Sequence, residues 1–154
     1  PIAQAIGEKH LALLELVPRR GITLIPQEKV YIGQDKRDKI YFIAGRLPQE
    51  KLTETAKIQL HEFIAKTVVE QEKKFVNFFN VAQPINTRLH QLELLPGFGR
   101  KHTQEILAAR EKKPFESFED IKTRVKNMPD PKKTIEKRII EELSERQRFN
   151  LFVE

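Results

Sequence analysis

Proline and glycine decide how far any element of this chain can run. Nine prolines and six glycines are spread through its 154 residues, and each proline removes a backbone donor and fixes φ. In the first third, apolar and β-branched runs at residues 10–17, 21–25, 29–33 and 39–44 are separated by Pro18, Pro26 and the polar stretch 34–38. Short runs of this composition between turn residues predict strands. Three or four of them within residues 1–48 predict a small N-terminal β-barrel-like module, oligonucleotide-binding-like or SH3-like. The run at 10–17 also allows a helix, because its apolar residues do not alternate cleanly.

Pro48 closes that region. Thr53 can cap a helix whose apolar positions recur through Ala56, Leu60, Phe63, Ile64, Val68, Phe75, Phe78 and Phe79, a helical stripe interrupted by Thr67 and Gln71. This connecting helical segment, 49–84, either runs unbroken or breaks near 70–73, and Pro84 ends it. Helix-favouring stretches follow at 86–95, 100–111, 118–127 and 132–146, divided by Pro96-Gly97 and Gly99, by Pro114, and by Pro129 with Pro131. Ser117 ahead of Glu119 and Asp120 has the form of an N-cap. The apolar tail 149–153 is expected to pack back on the body.

Composition narrows the function. Cysteine is absent, which excludes disulfides, thiolate metal sites and a cysteine nucleophile, and suits a cytoplasmic protein. No apolar run approaches the length of a membrane span. The formal charge of +6 is shared by the two halves of the chain rather than gathered in a tail. A basic surplus favours anionic partners, nucleic acid first, and any binding face must come from folding.

The informative stretch is Leu92-Glu93-Leu94-Leu95-Pro96-Gly97-Phe98-Gly99-Arg100-Lys101-His102-Thr103-Gln104-Glu105-Ile106-Leu107. The pattern predicts a helix ending at Leu95, a tight turn and a second helix from about Arg100. Gly97 and Gly99 permit backbone angles that a Cβ penalises and admit a ligand close to the main chain. Phe98 would point between the helices. The amides from Gly97 to Lys101 would face outward at a helix N-terminus, where the dipole favours an anion, with Arg100 and Lys101 adding charge. Such a cradle holds phosphate and is indifferent to base sequence.

These residues resemble the helix-hairpin-helix motif, and Pro114-Phe115-Glu116-Ser117-Phe118-Glu119-Asp120-Ile121 resembles the third helix of tandem domains of that kind. Thr103 stands where the motif usually has Ala. A faint second copy, offset by 33 residues, places Pro129 opposite Pro96 and Lys133 opposite Arg100. It lacks both glycines, and Asp130 would repel phosphate, so it is expected to be a structural pseudo-repeat. The whole chain resembles an archaeal family, domain of unknown function 655. Carrying that resemblance are Glu28-Lys29-Val30-Tyr31-Ile32-Gly33, Lys73-Lys74-Phe75-Val76-Asn77-Phe78-Phe79-Asn80 and the run from Thr87 into Pro96-Gly97. The resemblance implies RNA binding, no established activity, and further residues ahead of Pro1.

Lys36, Arg37, Lys39 and Arg46 are expected in the loops of the N-terminal module with Tyr31 and Tyr41 nearby, the mixture that single strands need. Equally, the two tyrosines suit cross-strand pairs and the charges a solvated loop. Phe75, Phe78 and Phe79 could form a stacking platform, but they continue an apolar stripe and are assigned to the core or a domain interface. Lys101 and Asp120 stand where some DNA glycosylases keep a Schiff-base lysine and an aspartate, a remote alternative, since Asp120 also suits a helix cap. His61, His90 and His102 lack the further ligands of a metal site.

The expected class is therefore α+β: a β-rich module at 1–48, the helical segment at 49–84, and an all-α helix-hairpin-helix domain at 85–154. The expected function is non-catalytic, largely sequence-independent binding of nucleic acid, RNA ahead of DNA, through Gly97, Phe98, Gly99, Arg100 and Lys101. Lys36, Arg37 and Arg46 would extend the contact. No cofactor, metal or membrane is implied. The alternative is a protein-docking module in a translation or repair assembly.

Overall fold

A computed structural model describes residues 1–154. The protein is α+β, and its chain divides into two compact units, Pro1–Glu62 with Glu142–Glu154, and Phe63–Glu141.

The first unit contains one antiparallel sheet of three strands in the order β1-β2-β3, with β1 at Ala3–Ile6, β2 at Leu13–Pro18 and β3 at Ile40–Arg46. The sheet is open. Both outer strands lack a second partner, so the expected barrel-like module, oligonucleotide-binding-like or SH3-like, does not form. The reason lies in residues 19–39, where the runs at 21–25 and 29–33 make no strand. Their polar groups are satisfied locally instead. Ile22 N–H donates to the Arg19 carbonyl (3.0 Å), Ile25 N–H to Glu28 Oε1 (3.1 Å) and Asp35 N–H to the Tyr31 hydroxyl (3.2 Å). Arg37 Nε donates to the Gly33 carbonyl (2.8 Å). Pro26 contributes no donor, and Gly21 and Gln27 hold φ values of 82° and 65°, which no strand tolerates. A hydrophobic run becomes a strand only if a ladder is available to it, and here turns compete successfully.

Leu11, Leu13, Leu16 and Ile40 are buried in this unit. Glu142 and the His10 segment hold its C-terminal tail. The Glu142 carboxylate accepts from the amides of Leu151 (2.7 Å), Phe152 (2.9 Å) and Val153 (2.9 Å), and Glu154 N–H donates to the His10 carbonyl (3.1 Å).

The helices are α1 (Glu54–Glu70), α2 (Glu72–Val81), α3 (Arg100–Lys112), α4 (Phe118–Arg124) and α5 (Pro131–Ser144). The division between units falls within α1 and within α5. Thr53 Oγ1 accepts from Ala56 N–H (3.1 Å) as the cap of α1. The apolar stripe breaks at Gln71, whose ψ of 36° interrupts the helix between α1 and α2. No helix is long and apolar enough to cross a membrane.

In the second unit, side chains close the helix ends. Arg110 donates to the carbonyls of Phe79 (3.1 Å) and Ala82 (2.9 Å) at the end of α2. Asn80 pairs with both backbone groups of Phe115, donating at 2.9 Å and accepting at 2.7 Å. Arg124 does the same for α3. It donates to the carbonyls of Ala109 and Lys113, each at 2.6 Å, pairs with Asp120 at 3.2 Å, and lies 4.6 Å from the centre of the Phe115 ring. Orphan carbonyls at a helix C-terminus need such donors. Truncating Arg124 to alanine is expected to destabilise the protein by about 2–3 kcal/mol, because carbonyls and a carboxylate lose a charged partner together. Lysine, lacking the planar fork, should recover little of this. Urea denaturation of the two variants measures it.

Candidate nucleic-acid interface

Residues 83–91, part of which was expected to be helical, form a small loop. Gln91 N–H donates to the Gln83 carbonyl (3.0 Å), Ile85 N–H to the Leu89 carbonyl (2.8 Å), and Arg88 N–H to Asn86 Oδ1 (2.8 Å). Of the stretch 86–95, only Gln91–Leu94 is helical, as a single 3₁₀ turn. Asn86 is the physical reason, since a side chain that bonds the backbone two residues on favours a turn over a helix.

His90 starts that 3₁₀ turn. Its Nδ1 accepts from Leu92 N–H (3.1 Å), and Glu93 Oε1 accepts from its own N–H (3.0 Å). The ring is 6 % exposed and Nε2 has no partner. Because Nδ1 accepts, the proton sits on Nε2. Burial lowers the His90 pKa below its ordinary value, the nearby Arg110 charge lowers it further, and Glu93 opposes both.

The turn from Leu95 to Gly99 follows. Phe98 is buried, its ring centre 6.2 Å from that of Phe79 and 5.6 Å from that of His102. Phe98 N–H donates to the Leu95 carbonyl (3.0 Å), closing the turn. Gly97 has φ +83° and lies against Pro129, whose Cγ would stand 2.9 Å from any Cβ placed there. Glycine is therefore required at 97 by both the backbone and the packing. Gly99 differs: its φ is −116°, and nothing lies within 4 Å of a Cβ built on it. The fold leaves room there for a side chain that the sequence does not supply.

Gly99 is the N-cap of α3, and no side chain fills the cap. His102 reaches back so that Gly99 N–H donates to its Nδ1 (3.2 Å), while its Nε2 lies 3.3 Å from the Asn127 carbonyl. Of the five amides from Gly97 to Lys101, those of Phe98 and Gly99 are therefore occupied. The amides of Gly97, Arg100 and Lys101 bond to no protein group, and no acidic residue stands in the first turn of α3. The other helices of this region are closed at the same point. Ser117 Oγ accepts from Asp120 N–H (2.9 Å) at α4, and Asp130 Oδ1 accepts from Lys132 N–H (3.0 Å) and Lys133 N–H (3.3 Å) at α5. In the stretch 128–133 the Asp130 carboxylate thus caps its own helix.

Arg100 and Lys101 are exposed, and neither lies within ion-pair distance of a carboxylate. Lys36, Arg37 and Arg46 belong to the other unit. There Lys36 is exposed, Arg37 is held by Gly33, and Arg46 pairs with Leu14 across β2 and β3. Tyr31 lies outside any strand, its ring over Gly33, and Tyr41 is exposed on β3 at 5.3 Å from Phe42. Phe75 and Phe79 are fully buried. Asp120 is engaged in its own helix: Glu116 N–H donates to it (3.0 Å) and Arg124 pairs with it, and this amide bond, then Arg124, holds its pKa down against desolvation. No group of three His, Asp or Glu side chains converges closely enough to hold a metal ion.

Two residues that pack on the turn carried little sequence signal. His102 is legible only as a ring three positions into a helix whose cap has no side chain. The contact between Pro129 and Gly97 follows from the fold and from no local pattern.

His90 gives the pH dependence. Its folded pKa lies below the unfolded one, so the unfolded chain takes up a proton that the folded chain refuses as pH falls below about 6.5. Stability present at neutral pH is expected to decline from there downward. His90→Asn keeps an acceptor for Leu92 N–H and should flatten that part of the thermal-unfolding profile relative to the parent.

The comparisons agree with this architecture. The family described as "Protein of unknown function (DUF655)" matches residues 1–154. The chain is 44% identical over 156 aligned positions to the "Uncharacterized protein MJ0038" of Methanocaldococcus jannaschii, covering 99% of this chain and 70% of that protein. It is similar to the crystal structure of Af1531 from Archaeoglobus fulgidus, also described as DUF655, with a TM-score of 0.85 and 45% identity over 100% of this chain and 86% of that one. Matched along its whole length and alike in fold and sequence to archaeal relatives, the chain belongs to the DUF655 family.

Proposed function

We propose that the turn from Gly97 to Lys101 is the phosphate cradle of a helix-hairpin-helix motif whose first arm is shortened to a 3₁₀ turn, and that the protein binds nucleic acid, RNA ahead of DNA, through its backbone. The observation that carries this reading is the empty cap of α3. A capping Ser or Asp at position 99 would fit without steric conflict and would stabilise an ordinary helix by about 1 kcal/mol over an uncapped one. Glycine there leaves the first-turn amides available beside Arg100 and Lys101. A phosphate oxygen completes those amides as a capping carboxylate would. Contacts of this kind position a strand without reading its bases, and no catalytic step is required of them. A protein-docking role has one observation in its favour: Tyr41 and Phe42, 64% and 45% exposed, on the open edge strand β3.

Gly99→Asp separates fold from function. Thermal stability should hold or rise, because the new carboxylate caps α3, while affinity for an oligonucleotide should fall by tenfold or more, on the order of one lost charge-assisted contact. Affinity should also weaken steeply with salt. Unchanged binding by a stable Gly99→Asp variant, followed by fluorescence anisotropy, would assign the contact to another face.

A further inference from the structure

A cleft lies further along the face of α3 that carries Lys101. Along α3, Lys101, Glu105, Ala108 and Lys112 fall on one stripe by helical spacing. The segment following α4 runs beside that stripe in the opposite direction. Pro129 meets Gly97, the Asn127 carbonyl meets His102, and Val125 and Lys126 share with Glu105, Ala108, Ala109 and Lys112 the lining of a cleft of about 290 Å³. Lys112 lies eleven helical steps beyond Lys101, about 16 Å at ~1.5 Å per residue. Ala108 and Ala109 keep the floor low. Arg124, the other cation of the lining, is committed to its carbonyls.

The charges here are left uncompensated. Lys112 and Lys126, like Arg100 and Lys101, are exposed and lack an ion-pair partner, although neighbouring lysines such as Lys113, Lys122 and Lys132 have one. Between them the Glu105 carboxylate has no hydrogen-bond or ion-pair partner in the protein. A carboxylate at mid-cleft repels phosphate but accepts from a hydroxyl, and the ribose 2′-OH is the donor that distinguishes RNA from DNA.

We infer that this cleft takes the continuation of a single RNA strand whose first phosphate sits on the Gly97–Lys101 turn, with a later phosphate on Lys112 and Lys126 and an intervening ribose hydroxyl on Glu105. The inference rests on the cradle proposed above. Only one strand is accommodated, because the pseudo-repeat that would meet a second strand is closed by Asp130.

The test uses the whole chain with an oligouridylate of about ten nucleotides, within the range of single-strand site sizes, and its deoxyuridine counterpart. Lys112→Glu with Lys126→Glu should weaken RNA binding and reduce the salt slope by about 1.4, the contribution of two single-strand phosphate contacts. RNA should bind more tightly than the deoxy strand. Glu105→Ala should bring the two affinities together, mainly by strengthening the deoxy complex as a repulsive charge is lost. Lys112 and Lys126 are exposed and Glu105 is half-buried, and unchanged circular dichroism confirms the fold. If the double lysine variant binds as the parent does while Gly99→Asp abolishes binding, the cleft is overturned and the cradle stands. If the lysine variant is impaired while Gly99→Asp is not, the cradle is overturned and the continuation from it fails. Equal RNA and deoxy affinities in the parent remove Glu105 from the site.

Discussion

The burial of Phe98 governs the geometry of the second unit. A phenylalanine at the apex of a turn has two options, solvent or core, and here it packs toward Phe79 and His102. Burying a ring of that size is worth about 2–3 kcal/mol, enough to fix which side of the turn faces inward. The two glycines flanking it must then face the other way. Gly97 meets that requirement with a left-handed backbone, and Pro129 closes behind it. The outward main chain at 97–101 is thus a product of where one side chain goes. Arg138, itself buried, donates to the Leu94 carbonyl (3.3 Å) and ties the approach to the turn onto α5.

Three helices begin within a short stretch of this unit, and they solve the same electrostatic problem differently. Ser117 and Asp130 use their own side chains, so α4 and α5 are complete in isolation. The start of α3 relies on His102, which accepts from the cap residue's own amide and leaves the amides beyond it untouched. The contrast is within one unit and one solvent, and so isolates the cap side chain as the variable.

Much of the helical part was legible in the sequence, and much of the β part was not. The starts of α3 and α4 follow from Gly99 and Ser117, because caps act over one turn and are local by nature, whereas α4 ends at Arg124, three residues short of the expected 127. Periodicity likewise located α1 and α2 but left open whether they join, and the break falls at Gln71. The barrel-like expectation failed because strand formation depends on a partner elsewhere in the chain. Residues 21–25 and 29–33 have strand composition, yet Glu28, Arg37 and the Tyr31 hydroxyl satisfy that region from within. The helix expected at 86–95 failed for a similar reason, with Asn86 and the loop from Gln83 to Gln91 outcompeting it. At the candidate site, the glycines and the charged pair were visible in the sequence. The partial occupation of the amides by His102 was not, since it depends on a rotamer.

The cations of the second unit divide by where they face, and Arg100 stands with the exposed lysines. Arg110, Arg124 and Arg138 face inward and serve backbone carbonyls, whereas Lys101, Lys112 and Lys126 face water. The formal charge of +6 therefore misstates what an anion outside would meet. Because the two sets scarcely overlap, the strength of a polyanion's attraction can drift through exchange of surface lysines while the scaffold keeps its stability, and selection could act on grip and on architecture independently.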